Sequence, residues 1–154
     1  MARDRFGIKP LYYFKKEGSL YFGSEIKQFS ALKSWSANLN KKMAFDYLNW
    51  GQTDHTNETL FEGVFQVPAG SFCKFNAFDC ELDLVFKSWY QIESKKSEIN
   101  YDEAVLNFSN IFHKSVKRRL RADVPIGTCL SGGLDSSSIA CIVSHISNKI
   151  DLKT

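Results

Sequence analysis

The spacing of hydrophobic positions shifts repeatedly along the chain, and each shift marks an element. Leu11 to Phe14 is an aromatic and apolar run, Lys15 to Ser19 carries a turn at Gly18, and Leu20-Tyr21-Phe22 returns, which predicts a hairpin. Ile26, Phe29 and Leu32 then recur at every third position, which predicts a short helix over Glu25 to Leu32 with Ser24 as its cap. Asn40 is a second capping residue. It precedes a helix carrying Met43, Ala44, Tyr47, Leu48 and Trp50 and closed by Gly51. Gln52 to Thr59 is polar and reads as a loop, and Phe65-Gln66-Val67 reads as a strand. Pro68-Ala69-Gly70 is a turn, after which Ser71 to Phe75 and Leu82 to Trp89 read as β segments on either side of Asn76 to Glu81. Ahead of all these, Arg3 to Pro10 mixes charge with Gly and Pro and predicts a structured loop.

From Gln91 to Ile99 apolar positions thin out, as in a linker. A different pattern begins at Asn100, which stands at capping-box spacing from Glu103 and opens a stripe of Val105, Phe108, Ile111, Phe112, Val116 and Leu120. Val124 to Leu130 then reads as a buried strand, and Ile139, Ala140, Ile142, Val143 and Ile146 return to helical spacing. The predicted organisation is a β-rich α+β part over residues 1–90, a linker over 91–99, and the start of an α/β part over 100–154. One strand and two helices do not make a sheet covered on both faces, so the second part reads as the beginning of a larger parallel-sheet domain.

Between that strand and helix lies Leu130-Ser131-Gly132-Gly133-Leu134-Asp135-Ser136-Ser137-Ser138. Gly132 and Gly133 permit positive φ and close approach of backbone to a ligand, leaving N–H groups aimed at one point. The start of the following helix adds free N–H groups and the positive end of its dipole, and the hydroxyls of Ser131, Ser136 and Ser137 are donors to phosphate oxygens. Asp135 has two readings. In one, its carboxylate holds Mg²⁺ against a bound phosphate; in the other, it only caps the helix. No Gly-Lys-Ser/Thr follows the glycines, which disfavours a Walker A loop transferring a γ-phosphate.

Composition narrows the class. The chain has 154 residues, 44% hydrophobic and 24% charged, which places it among globular proteins rather than disordered ones. A net charge of +3 makes no general case for nucleic acid or acidic membranes. Lys114, Lys117, Arg118, Arg119 and Arg121 do cluster; they read as a solvated helix end or as a phosphate or RNA site. Cys73, Cys80, Cys129 and Cys141 form no CxxC pair and no metal spacing, so reduced thiols in a cytoplasmic protein are expected. No apolar run approaches the ~18 to 20 residues of a membrane span.

Arg3 to Tyr13, Ser24-Glu25-Ile26-Lys27, Thr59 to Val64, Val67-Pro68-Ala69-Gly70 and Arg121 to Ser138 together resemble the glutamine-hydrolysing asparagine synthetases, and the likeness spans nearly the whole chain. Ser-Gly-Gly-Leu-Asp-Ser resembles the pyrophosphate loop of the ATP-pyrophosphatase superfamily, and the upstream Arg-Asp-Arg-Phe-Gly-Ile-Lys-Pro-Leu-Tyr string selects the glutaminase-linked branch.

The resemblance implies the C-terminal part of an Ntn-type class II glutaminase domain followed by the start of a synthetase domain that adenylates aspartate and amidates it with ammonia from glutamine. It implies ATP and Mg²⁺ as cofactors, and aspartate, glutamine and ATP as small-molecule partners, with neither nucleic acid nor membrane; it leaves a homodimer of the longer protein open. It assigns nucleotide binding to Leu130, Ser131, Gly132, Gly133, Asp135 and Ser136, with Leu130 touching the nucleoside and Asp135 holding Mg²⁺. The N-terminal nucleophilic cysteine of the family has no counterpart in Met1-Ala2-Arg3, and the distal Ser-Gly-Glu-Gly segment would lie beyond Thr154, so the chain reads as an internal fragment that does not hydrolyse glutamine alone. A related amidotransferase acting on a sugar acid or a β-lactam precursor remains open, as does a non-enzymatic anion-binding module. A tRNA-thiolating enzyme fits less well, because such enzymes lack the glutaminase-like half.

Overall fold

The structure, a computed structural model, describes residues 1–76, 84–96 and 98–146. Cys80, most of the loop expected over 76–81 and the start of the strand expected from Leu82 lie outside the described residues. The chain divides into two compact units, Met1–Ser94 and Lys95–Thr154.

The first unit is built on a three-stranded antiparallel sheet of β1 (Tyr12–Lys16), β2 (Ser19–Gly23) and β3 (Val64–Gln66), in the order β2-β1-β3. Lys16 pairs with Ser19, so Glu17 and Gly18 alone make the hairpin turn. Both have positive φ, at 51° and 71°, the mirror-image turn whose twist suits a hairpin. Because side chains alternate, Phe14 shares one sheet face with its partners Tyr21 and Val64, and Phe14 and Val64 are buried there. Phe29 closes over that row. Its ring meets Phe14 edge-on at 5.0 Å, and Tyr21, Ile26, Leu32, Trp35 and Phe61 surround the cluster. On the opposite face Tyr13 stacks on Phe65 at 5.6 Å, and burial pushes the Tyr13 phenol above its ordinary value, with the nearby Cys73 thiol adding to the rise.

The three-residue period of Ile26, Phe29 and Leu32 has its explanation in the helix it forms. Residues Ile26–Ala31 make a 3-10 helix, in which every third side chain is eclipsed, so Phe29 enters the core with Ile26 and Leu32 beside it. Its cap is Glu25 rather than the expected Ser24: the Glu25 N–H donates to Gln28 Oε1 at 3.4 Å.

Helix α1 (Lys41–Trp50) begins and ends as its sequence predicts. Asn40 Oδ1 accepts from the Met43 N–H at 3.3 Å, and Gly51 takes the left-handed conformation at φ 66°. The expected strand over 65–67 forms one residue earlier, over 64–66. The expected β segments shrink to β4 (Ser71–Phe72) and β5 (Lys87–Ser88), which pair only at Ser71 with Ser88 and Phe72 with Lys87.

In the second unit, α2 (Tyr101–Arg119) packs on α3 (Leu134–Ile146). Asn100 Oδ1 caps α2 by accepting from the Glu103 N–H at 2.9 Å. Val116, Ile142 and Val143 are buried, with Phe112, Leu120 and Ile146 against them. The predicted stripe is therefore used only in part: Val105, Phe108 and Ile111 are exposed at 49%, 68% and 68%. The contact uses only the C-terminal part of each helix, Phe112, Val116 and Leu120 against Ile142, Val143 and Ile146, so the stripe before Phe112 takes no part in it among the described residues.

The strand expected over Val124 to Leu130 does not form among the described residues; Gly127 alone is in a β-bridge. Pro125 has no N–H to give to a ladder and Gly127 packs no side chain, and both weaken a run that is otherwise β-branched and apolar. The expected parallel sheet accordingly has no strand among the described residues of this unit. Ile126, Gly127 and Thr128 instead line a hollow of about 250 Å³ with Phe112, Val116 and Val143.

Candidate functional site

The loop leading into α3 is shaped by one left-handed residue. Gly132 has φ 80°, whereas Gly133 is not in the left-handed region, so only one of the two glycines is needed for its torsion. Gly133 instead starts the helix. Its carbonyl accepts the first helical bond, from the Ser137 N–H at 3.0 Å, which leaves the N–H groups of Leu134, Asp135 and Ser136 without intrahelical partners. A Cβ on Gly132 would meet nothing within 4 Å, and one on Gly133 would meet only Ser131 Oγ at 3.5 Å. The space above the turn is open.

Three of the expected residues converge. Ser136 Oγ lies 3.3 Å from the Ser131 nitrogen, 3.0 Å from Ser131 Oγ and 3.1 Å from the Gly133 carbonyl oxygen. Leu130 stands at the mouth of the loop with 54% of its surface exposed. Asp135 is exposed in the first turn of α3, one position beyond the first helical residue, and its carboxylate makes no hydrogen bond or ion pair with the described residues. An N-cap side chain would sit before Leu134 and accept a backbone N–H, so the capping role weighed for Asp135 is not the one it has here. Among the described residues no cluster of three or more His, Cys, Asp or Glu is placed to hold a metal. Mg²⁺ needs no such cluster, since it commonly takes one or two carboxylates and completes its shell with phosphate and water, and Asp135 offers one exposed carboxylate.

The basic cluster at the end of α2 is solvent-facing: Lys117, Arg118 and Arg119 occupy the last turn, where they complement the helix dipole, and Arg119 Nη1 donates to Ser115 Oγ at 2.9 Å. The apolar hollow beside the loop escaped the sequence reading, although the repeats of Phe112, Val116, Ile139 and Val143 are its signal.

In the first unit, Arg3 to Pro10 is a tightly built loop. The Arg3 guanidinium donates to the carbonyls of Gly7 and Val67 at 2.7 Å each and of Lys9 at 2.9 Å. The Asp4 carboxylate accepts from the backbone N–H groups of Ile8 and Lys9 at 3.0 Å each and of Phe6 at 3.3 Å. These bonds, those from Lys9 and Ile8 foremost, hold its pKa below the ordinary 3.8. Arg5 lies over the rings of Trp89 and Tyr90, 5.9 and 5.4 Å from their centroids. The loop thus ties itself to Val67 and to the segment after β5.

Residues 1–90 match the model of the Glutamine amidotransferase domain, and residues 107–154 match that of Asparagine synthase. Asparagine synthetase [glutamine-hydrolyzing] 3 of Bacillus subtilis is 33% identical over 93% of this chain and 23% of its own length. A putative asparagine synthetase [glutamine-hydrolyzing] 2 of Methanocaldococcus jannaschii is 29% identical over 99% of the chain and 30% of its own, and Amidase chry2 of Gibberella zeae is 35% identical over 94% and 21%. The chain thus spans between 21% and 30% of the length of these curated relatives. With the first match covering more than half of its residues and the second lying directly downstream, the chain belongs to the glutamine amidotransferase family, in the asparagine-synthetase arrangement of a glutaminase-type domain followed by an asparagine synthase domain.

Proposed function

We propose that this chain is an internal segment of an ATP-dependent, glutamine-hydrolysing asparagine synthetase acting in the cytoplasm. Residues 1–90 are the C-terminal part of an Ntn-type glutaminase domain, 91–99 a linker, and 100–154 the start of an ATP-pyrophosphatase domain. In the whole protein, aspartate is adenylated with release of pyrophosphate, and ammonia from glutamine displaces AMP.

The observation that carries this reading is the loop itself: a left-handed Gly132, free N–H groups at the start of α3, the converging hydroxyls of Ser131 and Ser136, and, in the same first turn, an Asp135 carboxylate unpaired among the described residues. Backbone N–H groups and hydroxyls directed at a departing pyrophosphate stabilise the charge that grows on it as the α–β bond breaks. Gly132 and Gly133 let the phosphates approach the backbone, and Leu130 offers an apolar contact to the nucleoside. Asp135 would hold Mg²⁺, whose chemistry there is to neutralise charge on the pyrophosphate. The loop has no lysine to polarise a γ-phosphate, which supports AMP rather than ADP as product.

The test is a nuclear magnetic resonance titration of the 154-residue chain with magnesium pyrophosphate. Shifts confined to the amides of Ser131 to Ser137 are expected; no response in the loop, or a stronger response elsewhere, would overturn the site.

A second reading keeps the architecture and changes the acceptor. It is favoured by the relatives named as amidases, Amidase chry2 of Gibberella zeae and Amidase chyE of Penicillium rubens, which are 35% and 33% identical to this chain. Product analysis of the longer protein, supplied with glutamine, ATP and aspartate as the only candidate acceptor, separates the two.

A further inference from the structure

Resting on the phosphate-loop reading, we infer that the conformation seen here is a latched one, in which the Ser136 hydroxyl occupies the place a phosphate oxygen would take at the Ser131 N–H. A serine hydroxyl has one proton to give and two lone pairs to accept with. Ser136 uses all three. It donates to the Gly133 carbonyl at 3.1 Å and accepts from the Ser131 N–H at 3.3 Å and the Ser131 hydroxyl at 3.0 Å. No capacity remains for a phosphate, although both serines are partners expected for one.

The loop donors therefore fall into two groups. The N–H groups of Leu134, Asp135 and Ser136 are free of intrahelical bonds and available at once. The Ser131 N–H and hydroxyl are committed to Ser136 Oγ, and the Ser136 hydroxyl proton to the Gly133 carbonyl. Binding then proceeds in two stages: an anion first meets the helix start, and its oxygen next displaces the Ser136 hydroxyl, which turns away from Gly133 to donate to it. The exchange favours the anion-bound loop, because each bond broken within the loop is replaced by one to a charged acceptor, and charge-assisted bonds are the stronger kind.

The experiment compares the 154-residue chain with Ser136→Ala and Ser136→Thr by amide hydrogen exchange without ligand, followed by addition of magnesium pyrophosphate. Loss of the hydroxyl should speed exchange at Ser131 by roughly two- to tenfold, the value of one net hydrogen bond, while Thr preserves the protection. The Ser137 amide, bonded to the Gly133 carbonyl, reports whether α3 itself has loosened, and it should not change. Equal Ser131 exchange in all three proteins would overturn the latch even if pyrophosphate still shifts the loop. Faster exchange in the Ala protein with no response to pyrophosphate would uphold the latch and remove the phosphate-loop reading.

Discussion

The Arg3 guanidinium reaches the Val67 carbonyl at 2.7 Å across 64 positions of sequence, and this bond fastens the N-terminal loop to the end of β3. Two further bonds, to Gly7 and Lys9, fold the loop around the same side chain. The geometry needs guanidinium in particular, since a planar fork presents donors in several fixed directions and an ammonium does not. Arg3→Ala should therefore destabilise the first unit by about 3 kcal/mol, the scale of losing a charged partner to several backbone acceptors, and Arg3→Lys should recover less than half. Urea unfolding followed by Trp fluorescence measures both, and equal stability of the Lys variant and the parent would contradict the fork argument.

Gly7 gives an independent probe of the same clasp. It has φ 63°, and a Cβ there would lie 2.9 Å from the Arg3 Cζ. Gly7→Ala therefore combines backbone strain with displacement of the guanidinium, and it should cost more than the ~1 kcal/mol of strain alone. Gly51, at φ 66° with open space where its Cβ would be, supplies the reference: Gly51→Ala should cost about 1 kcal/mol and no more. Thermal melts of the two variants side by side decide it, and a larger loss for Gly51→Ala would rule out the clasp at Gly7.

Asp4 predicts an acid dependence. Its folded pKa is lowered below 3.8, so the stability it contributes is present above that unfolded value and is lost as pH falls through the lower folded one. Glu58 behaves alike below 4.5, with Asn40 the first cause and Lys42 the second. Asp4→Asn should leave stability less dependent on pH below about 4 than in the parent. Melting temperatures taken between pH 2.5 and 6 test this, and parallel curves for the two proteins would refute it.

Local chemistry was the most legible part of the sequence. Asn40, Asn100 and Gly51 each act through the backbone of their own turn, so the residue type carries the position. The hairpin at Gly18 and the period of Ile26, Phe29 and Leu32 are readable for the same reason. Strands were less so, because a strand exists only with a neighbour: β4 and β5 shorten to their paired residues, and Val124 to Leu130 contains Pro125 and makes no strand among the described residues. At the candidate site, composition and spacing pointed to Ser131, Gly132, Asp135 and Ser136, but the mutual satisfaction of the two serines depends on side-chain rotamers that spacing does not determine. The Arg3 clasp was hidden for another reason. Its acceptors are backbone carbonyls, which have no residue signature.

The exposed part of α2 makes a physical prediction for the isolated chain. Tyr101, Leu106, Phe108 and Ile111 are exposed at 81%, 61%, 68% and 68%. At about 100° per residue Tyr101, Phe108 and Ile111 fall on one side of α2 and Leu106 on another, and exposed apolar surface of this kind binds hydrophobic dyes and promotes self-association. Phe108→Ser with Ile111→Asn should lower dye fluorescence while leaving most of the helix content by circular dichroism in place, because neither side chain belongs to the Val116, Ile142 and Val143 cluster, which Phe108 meets only through its stacking on Phe112. Unchanged dye binding in the double variant would place the adhesive surface elsewhere.

Asp135 supplies the most direct test of the chemistry. Its carboxylate is exposed, unpaired among the described residues and set in the first turn of α3, where the free N–H groups already favour an anion. Two opposite functions are conceivable for it. If it serves only the helix, Asp135→Asn removes a favourable charge–dipole contact of roughly 0.3 to 1 kcal/mol and alters stability alone. If it holds Mg²⁺ against pyrophosphate, the same change keeps the side-chain size, removes the ligand charge and weakens stabilisation of the leaving group. Turnover of the longer protein should then fall by about two orders of magnitude, the scale seen when a preorganised electrostatic partner is lost. Pyrophosphate release measures turnover, and paramagnetic broadening by Mn²⁺ with pyrophosphate reports metal binding in the 154-residue chain without any turnover. Both signals should drop together in the variant. Near-normal turnover with intact broadening would assign Asp135 to the helix and move the metal site elsewhere, whereas release of ADP in place of AMP would overturn the pyrophosphate loop itself.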